Sequence, residues 1–296
     1  MNRKDFISTS IIGAASLPLL GINILSDNIV TAQHLQDFLH SLHEVKEPSV
    51  DRIIIGDPGT RIKKVATAWM PYWNTLRKAK EAGANVLVVH EPTFYTHWDL
   101  EGNENHSMAK NDYEEVIADK KKWIEENGMV IIRCHDVLDI LKDIGIPFAL
   151  GRGLGLSDDE IIAKKDYYNV YKIETDTAEH IAKKIAGKLK TINQPGVAFY
   201  GDLQRPVSSI GMGTGCICDP RDYAELGAGL HIGIDDTIRT WIQTMYAEDT
   251  GRPLVVINHG ASEEFGMQEL SKLLDETLQA EVEHISQGCG YKFVSA

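Results

Sequence analysis

The 296-residue sequence has few cysteines, too little basic charge and no uninterrupted apolar run long enough for a typical membrane helix. Its four cysteines are too few for a small disulfide-stabilised secreted scaffold, and Cys216 and Cys218 lie too close along the chain to pair readily. Lys+Arg total 30 against 43 Asp+Glu, giving a formal net charge of −13. This deficit of basic residues disfavours nucleic acid and anionic membrane surfaces as partners.

Residues 1–32 predict a cleavable export signal. Arg3 and Lys4 precede an uncharged stretch, residues 8–25, that Gly and Ser interrupt too often for a membrane span. Lys4 takes the place of the second arginine of a twin-arginine signal, and Val30-Thr31-Ala32 offers an A-x-A-like cleavage point. We expect an exported protein, periplasmic or extracellular, without a stable membrane anchor; the alternative is an uncleaved N-terminal helix.

After residue 32 the chain alternates short apolar runs with helical patterns. The helical pattern over residues 75–82 precedes the run Val86-Leu87-Val88-Val89, and the pattern over residues 108–126 precedes the run Val130-Ile131-Ile132. A further helical pattern follows over residues 237–246. Short, continuously apolar strands between amphipathic helices are typical of parallel sheets covered on both faces. The pattern therefore predicts an α/β fold.

Three of the apolar runs lead into a histidine: His90, His135 and His259. Functional groups gather at the carboxyl ends of parallel strands, so these side chains are expected in one crevice. Asp139 follows His135 by four residues, and Glu263 follows His259 by four, which places each pair on one face of a starting helix. A single histidine of this kind is more often an N-cap, a surface residue or a core residue, but the combination favours a metal site.

His90 is followed by further donors, namely Glu91, His97 and Asp99. Mixed imidazole and carboxylate sets suit divalent zinc, manganese, iron or nickel. Five or six ligands exceed what one four-coordinate ion needs, whereas two ions bridged by a carboxylate would use them all. We therefore expect two divalent metal ions as cofactors.

Three segments carry a family resemblance: Val89–Phe94, His135–Asp139 and Asn258–Glu263. In type and order they resemble the motifs of the dinuclear-metal family often labelled GTP cyclohydrolase 1 type 2 homologues. The resemblance extends from about residue 33 to the end. It implies two related α/β domains, residues 33–150 plus 255–296 and residues 151–254, with the C-terminal segment returning to the first. It also implies a toroidal homohexamer whose paired metals face the interior.

By motif position, the resemblance implies four metal ligands: His90, Asp139, His259 and Glu263. Asp139 is the candidate bridge between the ions. Where the family usually has a second histidine, this chain has Glu91, a carboxylate that would shift metal preference toward harder ions. Alternatively, His97 supplies the missing nitrogen. His135 either ligates or orients another ligand.

These features predict a metal-dependent hydrolase that acts on a small molecule through a metal-activated water. The candidates for catalytic acid–base work are Glu263, Glu91 and His135. The alternative is a non-catalytic metal-binding or metal-handling hexamer. A barrel-type amidohydrolase is disfavoured because the chain has too few strand–helix units.

Two aromatic clusters and one glycine-rich segment complete the pattern. The first cluster, Trp69, Tyr72 and Trp73, is expected in the core or an interface. The second lies beside His90 and is a possible stacking platform for a substrate ring: Phe94, Tyr95 and Trp98. Residues 211–216 are expected to form a tight turn, with phosphate or substrate approach as the minority alternative.

Overall fold

The computed structural model describes residues 30–44, 48–99, 110–165, 167–213, 215 and 219–294. Cys216, Cys218 and all of the predicted export signal before Val30 lie outside these residues. Thr31, within the predicted cleavage point, caps the first helix by accepting a hydrogen bond from the His34 N–H at 3.3 Å. In the described part of the chain, no helix combines the length and apolarity needed to cross a bilayer. The export signal stays a prediction.

The first sheet contains five strands in the order β1-β4-β3-β2-β11. Their bounds are β1 Ile53–Ile55, β2 Lys64–Ala68, β3 Val86–Val89, β4 Val130–Arg133 and β11 Glu281–His284. All pairs are parallel except β1 with β4. Every residue of β3 and β4 is buried, because helices cover both faces of the sheet. This explains why these strands read as continuous apolar runs.

Five helices belong to this half of the chain: α1 Ala32–Leu42, α2 Trp73–Glu81, α3 Lys110–Glu126, α4 Asp136–Ile140 and α5 Ile146–Gly153. The helical patterns over residues 75–82 and 108–126 are confirmed by α2 and α3. Both helices stop where predicted, because the turns that follow contain Gly83 and Gly128 at positive φ.

The second sheet contains six strands in the order β5-β6-β8-β9-β10-β7. Their bounds are β5 Ile161–Lys165, β6 Tyr168–Thr177, β7 Ala198–Tyr200, β8 Pro206–Met212, β9 Leu230–Ile234 and β10 Leu254–Ile257. Only β8, β9 and β10 are mutually parallel; the flanking strands are antiparallel. The associated helices are α6 Ala178–Leu189, α7 Pro220–Glu225 and α8 Met245–Thr250. The α/β expectation is confirmed, with a mixed rather than a wholly parallel second sheet.

The helix expected over residues 237–246 is replaced by a turn, a π-helical segment at Thr240–Thr244 and the short α8. Trp241 has non-helical φ and ψ and is 76% exposed, and Met245 is also exposed. The apolar spacing was therefore misleading, because these side chains do not pack on a core.

The chain crosses between the sheets once more near its end. β10 pairs with β9 and β7 in the second sheet, α9 (His259–Thr277) follows, and β11 pairs with β2 in the first. This confirms the expected return of the C-terminal segment. The crossing lies at Asn258, whereas the segment assigned to the first domain began at residue 255. An apolar run reads the same in either sheet, so the sequence leaves this boundary open.

Candidate metal centre

A cavity of about 360 Å³ opens where the two sheets meet. Three parallel strands of each sheet deliver a residue to its lining just after they end. In strand order β2, β3, β4, β8, β9 and β10, these residues are Met70, Glu91, His135, Gly215, Asp236 and His259. The site therefore combines the carboxyl ends of strands from both sheets, which extends the rule that predicted it.

His90 lies at the centre and is completely buried. Its Nδ1 is 3.1 Å from the Cys134 carbonyl oxygen, which can only accept, so Nδ1 carries the proton. Its Nε2 has no hydrogen-bond partner among the described residues and lies 3.4 Å from Glu263 Oε2 and 3.6 Å from Asp139 Oδ1. A buried imidazole nitrogen held between carboxylates needs positive charge there, supplied either by a proton on Nε2 or by a metal cation in its place.

His90, His135 and Asp139 form the first group able to hold a metal ion. The rings of His90 and His135 stack at 4.5 Å, and His135 Nδ1 is 3.5 Å from Asp139 Oδ2. α4 begins immediately after His135, so its first turn brings Asp139 back beside that histidine. The predicted four-residue spacing has its expected structural result here.

The second group is built on Glu91 and Glu263, which also form a metal-competent set with His90. His259 Nε2 lies 2.9 Å from Glu263 Oε1 and 3.2 Å from Glu91 Oε1. Two ligand atoms bound about 2.1 Å from one tetrahedral ion lie about 3.4 Å apart. The donor atoms of this group therefore have the spacing of ligands of a common ion.

Glu263 lies between the groups. Its Oε1 faces His259, while its Oε2 faces His90 and accepts a hydrogen bond from Trp69 Nε1 at 2.7 Å. Asp139 differs, since its two oxygens face His90 and His135, both in the first group. Glu263 thus lies between the two groups, whereas both oxygens of Asp139 face the first, and the assignment of Asp139 as the bridge stays a prediction.

The electrostatics of the cluster also suit a cation. Burial lowers the pKa of His90, but the Glu263, Asp139 and Glu91 carboxylates outweigh it and raise the pKa to about 10. The same competition raises the pKa of His259, and the two histidines hold the pKa of Glu263 well below its usual value despite its burial. The carboxylates therefore stabilise positive charge on the imidazoles. Divalent cations bound in place of the imidazole protons would be stabilised by the same carboxylates.

A family model described as Duf34/NIF3 (NGG1p interacting factor 3) matches residues 43–288, well over half of the chain. The chain belongs to the Duf34/NIF3 family. The resemblance drawn from the three motifs is thereby confirmed.

Solved structures share the Duf34/NIF3 fold with this chain. Staphylococcus aureus protein SA1388 superposes with a TM-score of 0.71 at 19% identity, covering 90% of this chain and 99% of its own. Reduced HcgD from Methanocaldococcus jannaschii gives 0.64 at 19% identity, covering 86% and 97% respectively. TTHA1606 from Thermus thermophilus gives 0.63 at 17%, covering 88% and 98%. Such low identities establish the fold alone. No curated protein sequence matches the chain.

In this Duf34/NIF3 chain, Asp236 supports the second group from outside. Its Oδ2 is 2.7 Å from His259 Nδ1, so the ring presents Nε2 to Glu263 and Glu91. Carboxylates commonly orient metal-binding histidines in this way. Asp236 was not predicted from the sequence, although it closely follows the apolar run of β9 as the three histidines follow theirs.

Arg133, at the end of β4, fixes Glu91 and the loop after His90. It is 1% exposed, and its Nη2 lies 3.7 Å from Glu91 Oε2. Its Nε donates to the His90 carbonyl at 2.9 Å, and its Nη1 donates to the His97 carbonyl. A guanidinium thus compensates the carboxylate that this chain carries where the family usually has histidine.

His97 lines the cavity but belongs to neither group. Its ring lies 5.3 Å from that of His135, edge to face. Burial lowers its pKa first, and the nearby Arg133 lowers it further. Asp99 closes the same loop, because its Oδ1 accepts hydrogen bonds from the N–H groups of Thr93 and Phe94. Glu91, rather than His97, occupies the position beside His259.

Gly215 brings its backbone close to the second group. A Cβ at this residue would lie 2.6 Å from Glu263 Oε1 and 3.0 Å from His259 Nε2, and its φ is +40°. Only glycine fits without displacing those ligands. Of residues 214–218 the structure describes this one alone, so the tight turn and its alternative, phosphate or substrate approach, both stay predictions.

The aromatic residues divide differently from expectation. Phe94 is buried, while Tyr95 and Trp98 are partly exposed and are not among the described residues that line the cavity. Trp69, from the cluster assigned to core or interface, is buried as expected and also donates a hydrogen bond to Glu263. Trp69 directly follows β2, and residues that follow parallel strands gather at the edge of the sheet where the site lies.

Proposed function

We propose that the chain is a dinuclear divalent-metal hydrolase that acts on a small molecule. The carrying observation is the buried, unpartnered Nε2 of His90 between the Glu263 and Asp139 carboxylates, with two donor groups meeting in one cavity. The cavity of about 360 Å³ is at the lower end of the range for small-molecule sites.

His90, His135 and Asp139 would hold one ion, and Glu91, His259 and Glu263 would hold the other, with Glu263 between them. Bound divalent ions supply Lewis acidity, which lowers the pKa of a coordinated water and polarises a substrate oxygen. Three of the six proposed ligands would be carboxylates, so manganese or iron is favoured over zinc or nickel.

The remaining polar residues would position the substrate and move protons. Of the three acid–base candidates, Glu263 is the most enclosed, since Trp69, His90 and His259 surround its carboxylate. Glu91 is held by Arg133 through one oxygen. We assign proton acceptance to His97, which lines the cavity outside both groups and retains a free imidazole once the ligands are engaged.

The direct test is elemental analysis of protein purified without added metal. About two divalent ions per chain are expected, and both His259→Ala and Asp139→Ala should lose at least one of them while remaining folded. Full retention of metal by both variants would contradict the proposed ligand sets. A His97→Ala variant should keep its metal and lose turnover.

Turnover separates the hydrolase from a metal-handling protein. A panel of esters, phosphoesters, cyclic amides and nucleotides, assayed with several metals, should yield at least one substrate hydrolysed at an ordinary enzymatic rate. Stoichiometric metal binding with no turnover across the panel would favour the non-catalytic alternative.

We also propose that the protein is exported and assembles as a homohexamer. The export signal rests on residues 1–32, and the hexamer rests on family membership. Mass spectrometry of the mature N-terminus checks the first proposal, and light scattering of the purified protein checks the second. A mature chain that still begins at Met1, or a monomer in solution, would contradict them.

A further inference from the structure

A second cavity of about 440 Å³ adjoins the metal cavity. Glu91, Asp236 and His259 line both, so the two spaces share one wall. The second cavity contains none of the first ion's proposed ligands. It lies instead beside the His259 side of the site, and its remaining lining includes three aromatic residues.

These aromatic residues are Trp69, Tyr72 and Tyr291. Trp69 is 6% exposed and is held by its hydrogen bond to Glu263, so it forms a fixed wall. Tyr72 meets it edge to face at 6.1 Å and 73°, while 44% of Tyr72 remains exposed. Tyr291 is 48% exposed and follows Gly290, whose N–H donates to Asn258 Oδ1 at 2.7 Å. Tyr72 and Tyr291 are therefore each partly exposed beside the fixed Trp69 wall, and Tyr291 also contacts Phe293 with ring centroids 5.4 Å apart.

Apart from His259, the charged residues that line the second cavity are all acidic. They are Glu91, Asp235 and Asp236, and none of the described lining residues is lysine or arginine. Asp235 is occupied by the His259 N–H and the Asn258 amide, whereas the side chain of Asp236 is 57% exposed. An anionic group would be repelled here, and a donor or cation on the ligand would find a carboxylate.

We propose that this aromatic chamber, lined by Trp69, Tyr72, Tyr291 and Asp236, binds a planar, neutral or cationic ring. The ring stacks on the tyrosines and directs an N–H donor at Asp236. As a specificity subsite, the chamber rests on the proposed hydrolase function. A substrate whose ring lies in the chamber would extend past His259 and bring the bond to be cleaved to the metal centre. The substrate class is then a small nitrogen-bearing aromatic compound.

The test uses four small probes: benzamidine, benzamide, benzenesulfonate and cyclohexanecarboxamide. Ligand-observed NMR titrations with the purified protein should rank benzamidine tightest, benzamide next and benzenesulfonate weakest. Benzamidine should bind about tenfold more tightly than benzenesulfonate, because the two share the phenyl ring but only benzamidine carries a cation with N–H donors. Cyclohexanecarboxamide should bind more weakly than benzamide, since it keeps the amide and lacks the planar ring.

Tyr72→Ala and Tyr291→Ala should each weaken benzamidine binding about fivefold to tenfold while leaving metal content unchanged. Tyr95→Asn is the matched control: Tyr95 is 41% exposed but lies outside the chamber, and asparagine tolerates its φ of +66°. The control should bind benzamidine like the unaltered protein. Equal affinity for benzamidine and benzenesulfonate, or unchanged affinity in both tyrosine variants, would overturn the proposal.

Metal analysis of the same samples separates the two proposals. Selective benzamidine binding in protein that holds no metal after reconstitution would support the chamber and reject the dinuclear centre. Two bound ions without measurable benzamidine binding would do the reverse.

Discussion

Glu263 and Glu264 are neighbours in α9 whose side chains point in different directions from the helix. Both oxygens of Glu263 face histidines of the candidate metal centre. Glu264 is fully buried and accepts hydrogen bonds from His284 Nε2 at 2.9 Å and Gly288 N at 3.0 Å. It thereby ties the C-terminal segment to α9. Two adjacent acidic residues look alike in the sequence. Only the tertiary structure shows that one faces the candidate site and that the other holds the C-terminal segment in place.

Asp236→Ala is expected to weaken divalent-metal binding about tenfold to a hundredfold. The substitution removes the carboxylate that orients His259, although it touches no metal itself. Chelator competition measures the affinity, and Asp119→Asn on the exposed surface of α3 is the control. Unchanged affinity would mean that His259 needs no external support.

Arg133→Leu should destabilise the folded protein by about 3–5 kcal/mol. It removes the buried cation that faces Glu91 Oε2 and Asp99 Oδ2, the oxygens of these carboxylates on the side of Arg133. Urea denaturation of the metal-free variant measures the loss, and Arg133→Lys should recover part of it. A loss below about 1 kcal/mol would show that the carboxylates find other partners or protons.

The elements that the sequence predicted best are those whose role is local. α4 starts at Asp136 as the His135–Asp139 spacing requires, and α2 and α3 lie where the helical patterns over residues 75–82 and 108–126 place them. The segment over residues 237–246 failed because apolar spacing reports periodicity without reporting whether a core lies opposite. Exposure of Trp241 shows that none does within the described chain.

Leu87→Ala in β3 should lower the free energy of unfolding by about 2–5 kcal/mol. Leu87 is completely buried in the central part of the first sheet, so the substitution leaves a cavity. Ile162→Ala is the matched control on the edge strand β5, where the side chain is 58% exposed; its effect should stay within about 0.5 kcal/mol. Thermal and urea unfolding of both variants provide the comparison, and equal losses would contradict the burial assignment.

At the scale of the whole molecule, the candidate site exists only because two sheets face each other through their strand ends. The first sheet provides His90, Glu91 and His135, and the second provides His259 after β10. α9 then carries Glu263 across the junction toward His90. Separation of the two sheets would therefore break the contact of Glu91 with His259 in the second group. It would also move Glu263 away from His90 in the first group.

Metal-free protein should lose stability as the pH rises from 7 to 10. The pKa of His90 is raised to about 10 from a usual 6.5, so its proton stabilises the folded state fully below about pH 6.5. That contribution declines as the pH approaches 10. Metal-loaded protein should lack this decline, because cations replace the protons, and metal binding should release protons. Denaturation at pH 7 and pH 9.5 with and without metal measures the difference; identical pH profiles would argue against a shared site.

The sequence by itself determined the fold class and most of the residues that gather at the candidate site. Buried parallel strands require apolar runs, and groups that follow such strands collect at one edge, so His90, His135 and His259 were expected in one crevice, while Asp139 and Glu263 followed from the motif resemblance. The tertiary structure decided the rest. That Glu263 lies between the groups, that Asp236 and Arg133 support them, and that Trp69 and Tyr72 line a chamber all depend on how the two sheets meet. No local pattern encodes those distances, because the residues involved are brought together from distant parts of the chain.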